Sequence, residues 1–191
     1  MIEPLRHLDN ELFIYLNSHR SALLDPVMIL LSSRFFWVPA YAALIIYLVY
    51  QYRRSGVLMV LMIILAVGAA DMFSSGFFKP FFGRLRPCHD PELAGLINMV
   101  NGCGGSFGFV SSHAANTFCL AFFLNIVLPP RYFWFKASVF LWAFGVSYSR
   151  IYLAAHFPGD VIVGALLGGV LAWLISKLYF RLERYPFFRR S

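Results

Sequence analysis

Apolar residues run along this chain in long blocks, and the polar residues gather in the short stretches between them. Five blocks, at about residues 36–52, 56–78, 113–130, 133–150 and 158–180, reach or approach the roughly 20 apolar residues (about 17–25) that a helix needs to cross a bilayer. A shorter block at 22–33 contains Asp25 and Pro26. It reads as a partly inserted half-helix, with a sixth crossing as the alternative. The first 22 residues mix charged and apolar positions, with Leu5, Leu8, Leu12, Phe13 and Leu16 at roughly helical spacing. That pattern predicts an amphipathic helix lying in the membrane interface, and it lacks the uninterrupted apolar core of a cleavable signal peptide. The expected fold is all-α: a polytopic membrane helical bundle of five full spans, or six, plus an N-terminal amphipathic interfacial helix.

Composition supports a membrane protein. Of 191 residues, 60% are hydrophobic and only 13% charged, and the mean hydropathy is +0.68. A soluble domain of this size could not hide so much apolar surface. No linker or low-complexity tract divides the chain, so one domain over 1–191 is expected, with an interfacial or half-inserted region at 1–35, a bundle at 36–180 and a basic tail at 181–191. The net charge of +7 is not a nucleic-acid footprint, because the basic residues punctuate apolar runs. Arg53, Arg54, Arg131, Lys136, Lys177, Arg181, Arg184, Arg189 and Arg190 fall on one side of the predicted layout, against the single acid Glu183. The positive-inside rule makes that side cytoplasmic. The loop 79–112, the turn 150–157 and the N-terminal segment then face outward, and the C-terminus is cytoplasmic.

The unusual polar residues all fall on the outward side, in three clusters. The first, KPFFGRLRP at 79–87, sets the flexible ammonium of Lys79 near the planar donor fork of Arg86, a combination suited to phosphate oxygens. Its plainer reading is a helix-end anchor whose basic side chains snorkel. The second, GCGGSFGFVSSHAAN at 102–116, leads a glycine-rich loop into a helix, where free N–H groups favour anions. Ser111 or Ser112 suits the helix N-cap, and His113 in the first turn suits general acid work. The third is SRIYLAAHFPGD at 149–160. Pro158 fits the first turn of a helix, so Asp160 and His156 stand four residues apart at a helix start. The carboxylate can then orient one imidazole nitrogen and leave the other free to attack, while Arg150 adds a second fork for anionic charge. Three cations around one anion pocket would repel a metal, and no third histidine or carboxylate cluster stands at ligand spacing. No metal and no cofactor are expected.

Lys79-x6-Arg86-Pro87, Ser111-x-His113 and Ser149-Arg150-x5-His156-x3-Asp160 together resemble the three-part signature of the type 2 phosphatidic acid phosphatase family. That family also includes vanadium-dependent haloperoxidases and acid phosphatases with the same site. The first and third parts match in full. The middle part departs, since Val110-Ser111-Ser112-His113 stands where the family usually has Pro-Ser-Gly-His, a change in local rigidity that leaves the anion-binding character. The resemblance implies an enzyme in which His156 attacks phosphorus, Asp160 orients it and His113 protonates the leaving oxygen. Lys79, Arg86, Arg150, Ser111 and Ser112 would hold the phosphate oxygens.

The expected partner is a lipid phosphate within the bilayer. An outward site on a small single-domain member favours a polyprenyl diphosphate such as undecaprenyl diphosphate, in the plasma membrane of a bacterium. Phosphatidic acid, phosphatidylglycerol phosphate and lipid A 1-phosphate are the competing substrates. Transfer to a second lipid, and a non-enzymatic transporter or scaffold, are the other classes. Around the site, Cys88 and Cys103 are expected to form a disulfide if the outward side is oxidising, and Cys119 reads as a packing residue. Gly164-x3-Gly168 reads as a close helix contact. Asp71 needs a partner, for which Ser74, Ser75 or a site arginine would serve. Phe77, Phe78, Phe81 and Phe82 fit either a lipid entrance or a lipid-facing belt. His89 and Asp90 read as loop surface, and Arg84 is left out of the site.

Overall fold

The computed structural model describes residues 3–100 and 102–188. Arg189 and Arg190 of the expected basic tail lie outside them. Among the described residues the order is α1 (Glu3–Ser18), α2 (Asp25–Ser32), α3 (Val38–Asp71), a π-helical stretch (Met72–Phe78), α4 (Lys79–Phe82), α5 (Ser112–Val127), α6 (Phe133–Tyr152) and α7 (Pro158–Glu183), joined by short 3₁₀ turns and no strand. The all-α expectation holds.

α3 is two helices in one range. Arg53 takes the left-handed φ of 52° with ψ of −124°, which reverses the chain. The arms fold back together: Tyr41, Leu44 and Ile45 of the first face the same cavity as Val60, Ile63 and Val67 of the second. Gly56 permits the close turn, because a Cβ there would lie 2.1 Å from the Leu48 carbonyl oxygen. These arms are the helices expected at about 36–52 and 56–78. Phe35–Phe82 as a whole and Pro158–Glu183 are long and apolar enough to cross a membrane. At 1.5 Å per residue α6 adds about 30 Å and α5 about 24 Å. α2 has eight residues, hence about 12 Å, which is well short of a hydrocarbon core of roughly 30 Å.

α5 is the central helix, packed on α7, α3 and α6. Its buried Ala115, Cys119, Leu120, Phe123 and Leu124 join Leu58, Met59 and Met62 of α3 and Ala172 and Tyr179 of α7 in one core. Cys119 is a buried packing residue there, as expected. The outer faces carry exposed Leu61, Ile64, Leu141, Phe144, Leu166 and Val170, an arrangement that suits lipid rather than water. α1 inserts Phe13 and Asn17 into the bundle: the Phe13 ring meets Phe157 edge-on at 5.4 Å, and Asn17 Nδ2 donates to the Tyr152 carbonyl at 2.9 Å. Leu5, Leu8, Leu12 and Tyr15 remain exposed on its other face.

Candidate active site

The three clusters meet at the N-terminal ends of α5 and α7. The Ser111 amide donates to the Asp160 carbonyl at 3.0 Å, so the two helix starts are bonded directly. The approach is close because Gly164 of α7 lies over the Ser111 carbonyl, where a Cβ would come within 2.6 Å. The small-residue spacing is therefore a close helix contact, and it fixes one half of the site against the other. Ser111 caps α5, accepting from the Ala114 amide at 3.4 Å.

Lys79 reaches the same place from α4. Its ammonium donates to Ser112 Oγ at 2.7 Å, and Ser112 Oγ lies 2.9 Å from Ser75 Oγ. Lys79 follows the π-helical stretch. The extra residue in such a turn changes the direction of the side chains beyond it, and π-bulges recur at functional sites for that reason.

Arg86 is 9% exposed and is pinned at both ends, its amide donating to the Ser106 carbonyl at 3.0 Å and Nε to the Phe107 carbonyl at 3.2 Å. Gly108 runs between Arg86 and Asp160: a Cβ there would lie 3.0 Å from Asp160 Oδ2 and 3.2 Å from Arg86 Cγ. Burial pulls the Arg86 guanidinium below its ordinary value, with Asp160 opposing.

The turn carrying His156 wraps the end of α6. The Ala155 and His156 amides both donate to the Arg150 carbonyl, at 2.9 and 3.2 Å. Ala154 adopts a left-handed φ of 53°, which an L-residue does at an expense of roughly 1–2 kcal/mol. Its carbonyl accepts from the Cys88 amide at 3.2 Å. Cys88 is disulfide-bonded to Cys103 with Cα atoms 6.1 Å apart, so the covalent loop is tied to the histidine turn. His89 lies beside the disulfide, and with both sulfurs bonded to each other that group offers no thiolate to a metal.

The His156 side chain is buried, and Nδ1 lies 3.6 Å from Asp160 Oδ2. That is ion-pair range but longer than a hydrogen bond, and among the described residues Nδ1 makes no hydrogen bond. Burial first, then Arg150, Arg86 and Lys79, push the imidazole well below its usual 6.5. A neutral ring with its proton on Nδ1, facing Asp160, leaves the Nε2 lone pair free to attack an electrophile. The Arg150 guanidinium donates to Ser32 Oγ, while its buried Nε has no partner among the described residues. Ser32 at the end of α2 thus borders the site, and its backbone also meets the half-buried His113 ring.

The structure brings Lys79, Arg86, Ser111, Ser112, His113, Arg150, His156 and Asp160 together around the two helix starts, and several of their neighbours were missed. Arg84, left out of the site, sends Nη1 to Asp160 Oδ1 at 2.8 Å and Nη2 to Asp9 Oδ2 at 2.7 Å. The Asp71 carboxylate takes its partner from α5, Oδ1 accepting from Asn116 Nδ2 at 3.1 Å, whereas Ser74 Oγ donates only to the Asp71 main-chain carbonyl, at 3.2 Å. The spacing could have suggested it, since Asn116 follows His113 by three residues and shares its helix face. Ser75 had a comparable signal, four residues before Lys79. Asp9 and Ser32 had none. The aromatic run stacks as Phe77 on Phe81 and Phe78 on Phe82, at 5.5 and 5.9 Å, with Phe109 against Phe82 at 4.7 Å.

The whole arrangement gathers lysine and arginine cations around two imidazoles and a carboxylate, with His156 and Asp160 buried at its centre. The family model described as the PAP2 superfamily matches residues 55–184. The chain belongs to the PAP2 superfamily. Within it, the chain is 40% identical to a lipid A 4′-phosphatase of Bacteroides thetaiotaomicron, over 96% of this chain and 84% of that protein. It is 34% identical to a lipid A 4′-phosphatase of Porphyromonas gingivalis, over 93% and 75%. Its fold is similar to the crystal structure of the transmembrane PAP2-type phosphatidylglycerolphosphate phosphatase from Bacillus subtilis, with a TM-score of 0.69 and 26% identity over 96% of this chain and 90% of that one. These likenesses put the chain in the membrane lipid-phosphatase branch of the PAP2 superfamily, as a hydrolase of lipid phosphates.

Proposed function

We propose that the protein removes the 4′-phosphate of lipid A through a phosphohistidine at His156. The observation that carries the reaction is the convergence of His156, His113, Asp160, Lys79, Arg86 and Arg150 from three separate segments. What favours lipid A over the polyprenyl diphosphate is the similarity to two lipid A 4′-phosphatases across nearly the whole chain.

Lys79, Arg86 and Arg150, with the hydroxyls of Ser111 and Ser112, bind the phosphate oxygens and neutralise the charge that builds on them. His156 Nε2 attacks phosphorus in line as the bond to the sugar oxygen breaks, and His113 gives that oxygen its proton. Water, deprotonated by His113, then attacks the phosphohistidine. The N–P bond breaks, inorganic phosphate leaves, and both histidines return to their starting states. Asp160 holds the His156 ring in the attacking tautomer.

In this reading the two arms of α3 with the segment through α4, and α5, α6 and α7, make five crossings. α1 lies in the outer interface, the site opens outward from the bacterial inner membrane, and the C-terminus is cytoplasmic. The detergent-purified protein in EDTA, offered lipid A, undecaprenyl diphosphate, phosphatidylglycerol phosphate and phosphatidate in parallel, tests the substrate. Mass spectrometry of the product should show lipid A without its 4′-phosphate. A clear preference for undecaprenyl diphosphate, or loss of the 1-phosphate instead, overturns the assignment.

A further inference from the structure

The N-terminal helix reaches the catalytic carboxylate through one arginine. Arg84 lies between Asp160 and Asp9, bonded to both, with side chains 14%, 0% and 11% exposed. Its guanidinium also stacks over the Phe157 ring at 4.0 Å, so the fork is held in one plane. Asp9 Oδ1 accepts the Gly159 amide at 2.7 Å, next to Asp160 itself. Asp160 Oδ2 in turn accepts the Phe157 amide at 3.0 Å. Both oxygens of Asp160 are therefore fixed, and the 3.6 Å separation of Oδ2 from His156 Nδ1 follows from where Arg84 and the Phe157 amide hold the carboxylate. A cavity of 980 Å³ beside α1 is lined by Leu8, Asp9, Leu12, Arg84, Phe157 and Ile162, but by neither histidine of the site. The pair thus stands between the N-terminal helix and the reacting groups. Asp9 also lies outside residues 55–184, the stretch that matches the superfamily.

We propose that Asp9 and Arg84 act as a positioning relay that sets Asp160, and through it His156, so that the N-terminal helix is a working part of the catalytic site. The proposal rests on the roles given above to His156 and Asp160. Neither relay residue touches substrate: Arg84 fixes Asp160, and Asp9 fixes Arg84. Buried ion pairs of this kind add little net stability, but removing one partner leaves the others uncompensated. Here the uncompensated group would be the carboxylate that orients the nucleophile. The charged and titratable groups around Asp160 are Arg84 and Arg86 from the loop after α4, His156 from its own turn, and Asp9 of α1 across Arg84. From α5, His113 faces His156.

The test is a double-mutant cycle on the full chain in detergent, with turnover normalised to folded protein and followed against pH. Arg84→Gln should lower kcat by on the order of 10-fold, as loss of an outer-shell partner does. It should also move the acid limb of kcat to higher pH, because a carboxylate without its cation takes up a proton more readily. Arg84→Lys should restore part of both effects. Asp9→Asn, which keeps an acceptor for the Gly159 amide, should lower kcat alone but add nothing in the Arg84→Gln background, the coupling expected of residues acting in series. Glu92→Gln, which breaks the exposed pair between Arg6 and Glu92, should leave kcat and its pH profile unchanged. If Arg84→Gln does not fold, the cycle runs in Arg84→Lys. An unmoved acid limb with only thermal stability lowered, or independent multiplying effects of the two variants, overturns the relay. An active His156→Ala would instead overturn the mechanism on which it rests.

Discussion

The contact between α5 and α7 leaves no room for a side chain at Gly168, and Gly168→Ala tests it. A Cβ at Gly168 would lie 2.3 Å from the Ala115 carbonyl oxygen and 2.8 Å from the Cys119 amide nitrogen. Both are main-chain atoms in the middle of α5, so no side chain can rotate away. Ordinary contact begins near 3.4 Å, so α7 must withdraw by about 1 Å. Overpacking of that kind costs about 1–3 kcal/mol. Gly168 lies two turns below Asp160, and Ala115 one turn below Ser111, so the withdrawal opens the site at the bond between their helix starts. A misplacement of about 1 Å can reduce catalysis by roughly 10²-fold. Gly169→Ala, which meets only the Phe122 ring at 3.3 Å, should be mild. Gly68→Ala meets nothing within 4 Å and should be neutral or stabilising by up to about 1 kcal/mol, since alanine favours a helix. Thermal unfolding in detergent and steady-state phosphate release measure all three. A Gly168→Ala protein as stable and active as the parent would show that the α5–α7 contact does not set the site.

Three other expectations follow from the site. Lys79→Met removes a donor that touches Ser112, and should lower kcat/KM by about 10²–10³; a change under fivefold would remove Lys79 from the phosphate site. Because burial and three cations depress the His156 imidazole, its protonation lies below pH 6.5 and the nucleophile stays neutral above it. Nitrogen-15 NMR of the labelled ring should show no imidazolium at pH 6.5, and a charged ring there would contradict the electrostatics. The disulfide closes a loop with a separation of 15 residues, worth about 3 kcal/mol on the chain-entropy model. Cys88→Ser with Cys103→Ser should then lower Tm by roughly 6–12 °C, and an unchanged Tm would show that the bond does not constrain the unfolded chain.

Much of the architecture was legible because a bilayer simplifies the code. Apolar run length marked the arms of α3, α5, α6 and α7, and the ionisable residues at their ends stood out because a hydrocarbon edge tolerates few of them. Short-range relations were legible too. His156 and Asp160 are four residues apart at a helix start, and Ser111 precedes a helix it caps. What the sequence hid was long-range pairing. Arg84 looked like a third basic residue in a basic run, because nothing local indicates that its two carboxylates lie at positions 9 and 160. Ser32 meets Arg150 only through the placement of α2 on α6. Asp71 pairs with Asn116 across two helices, whereas the nearer serines suggested a partner within its own helix. Patterning fixes which face of a helix is buried, and the contact between two faces depends on packing that no single segment encodes.

If phosphate passes through His156 as proposed, it can be trapped there. The purified protein, with EDTA present, is mixed briefly with lipid A radiolabelled at the 4′-phosphate, quenched in alkali and mapped by peptide. An acid-labile label is expected on the peptide that carries His156, formed and discharged within one turnover and absent from His156→Ala. Release of phosphate without label on His156, or loss of turnover on adding EDTA, would contradict it.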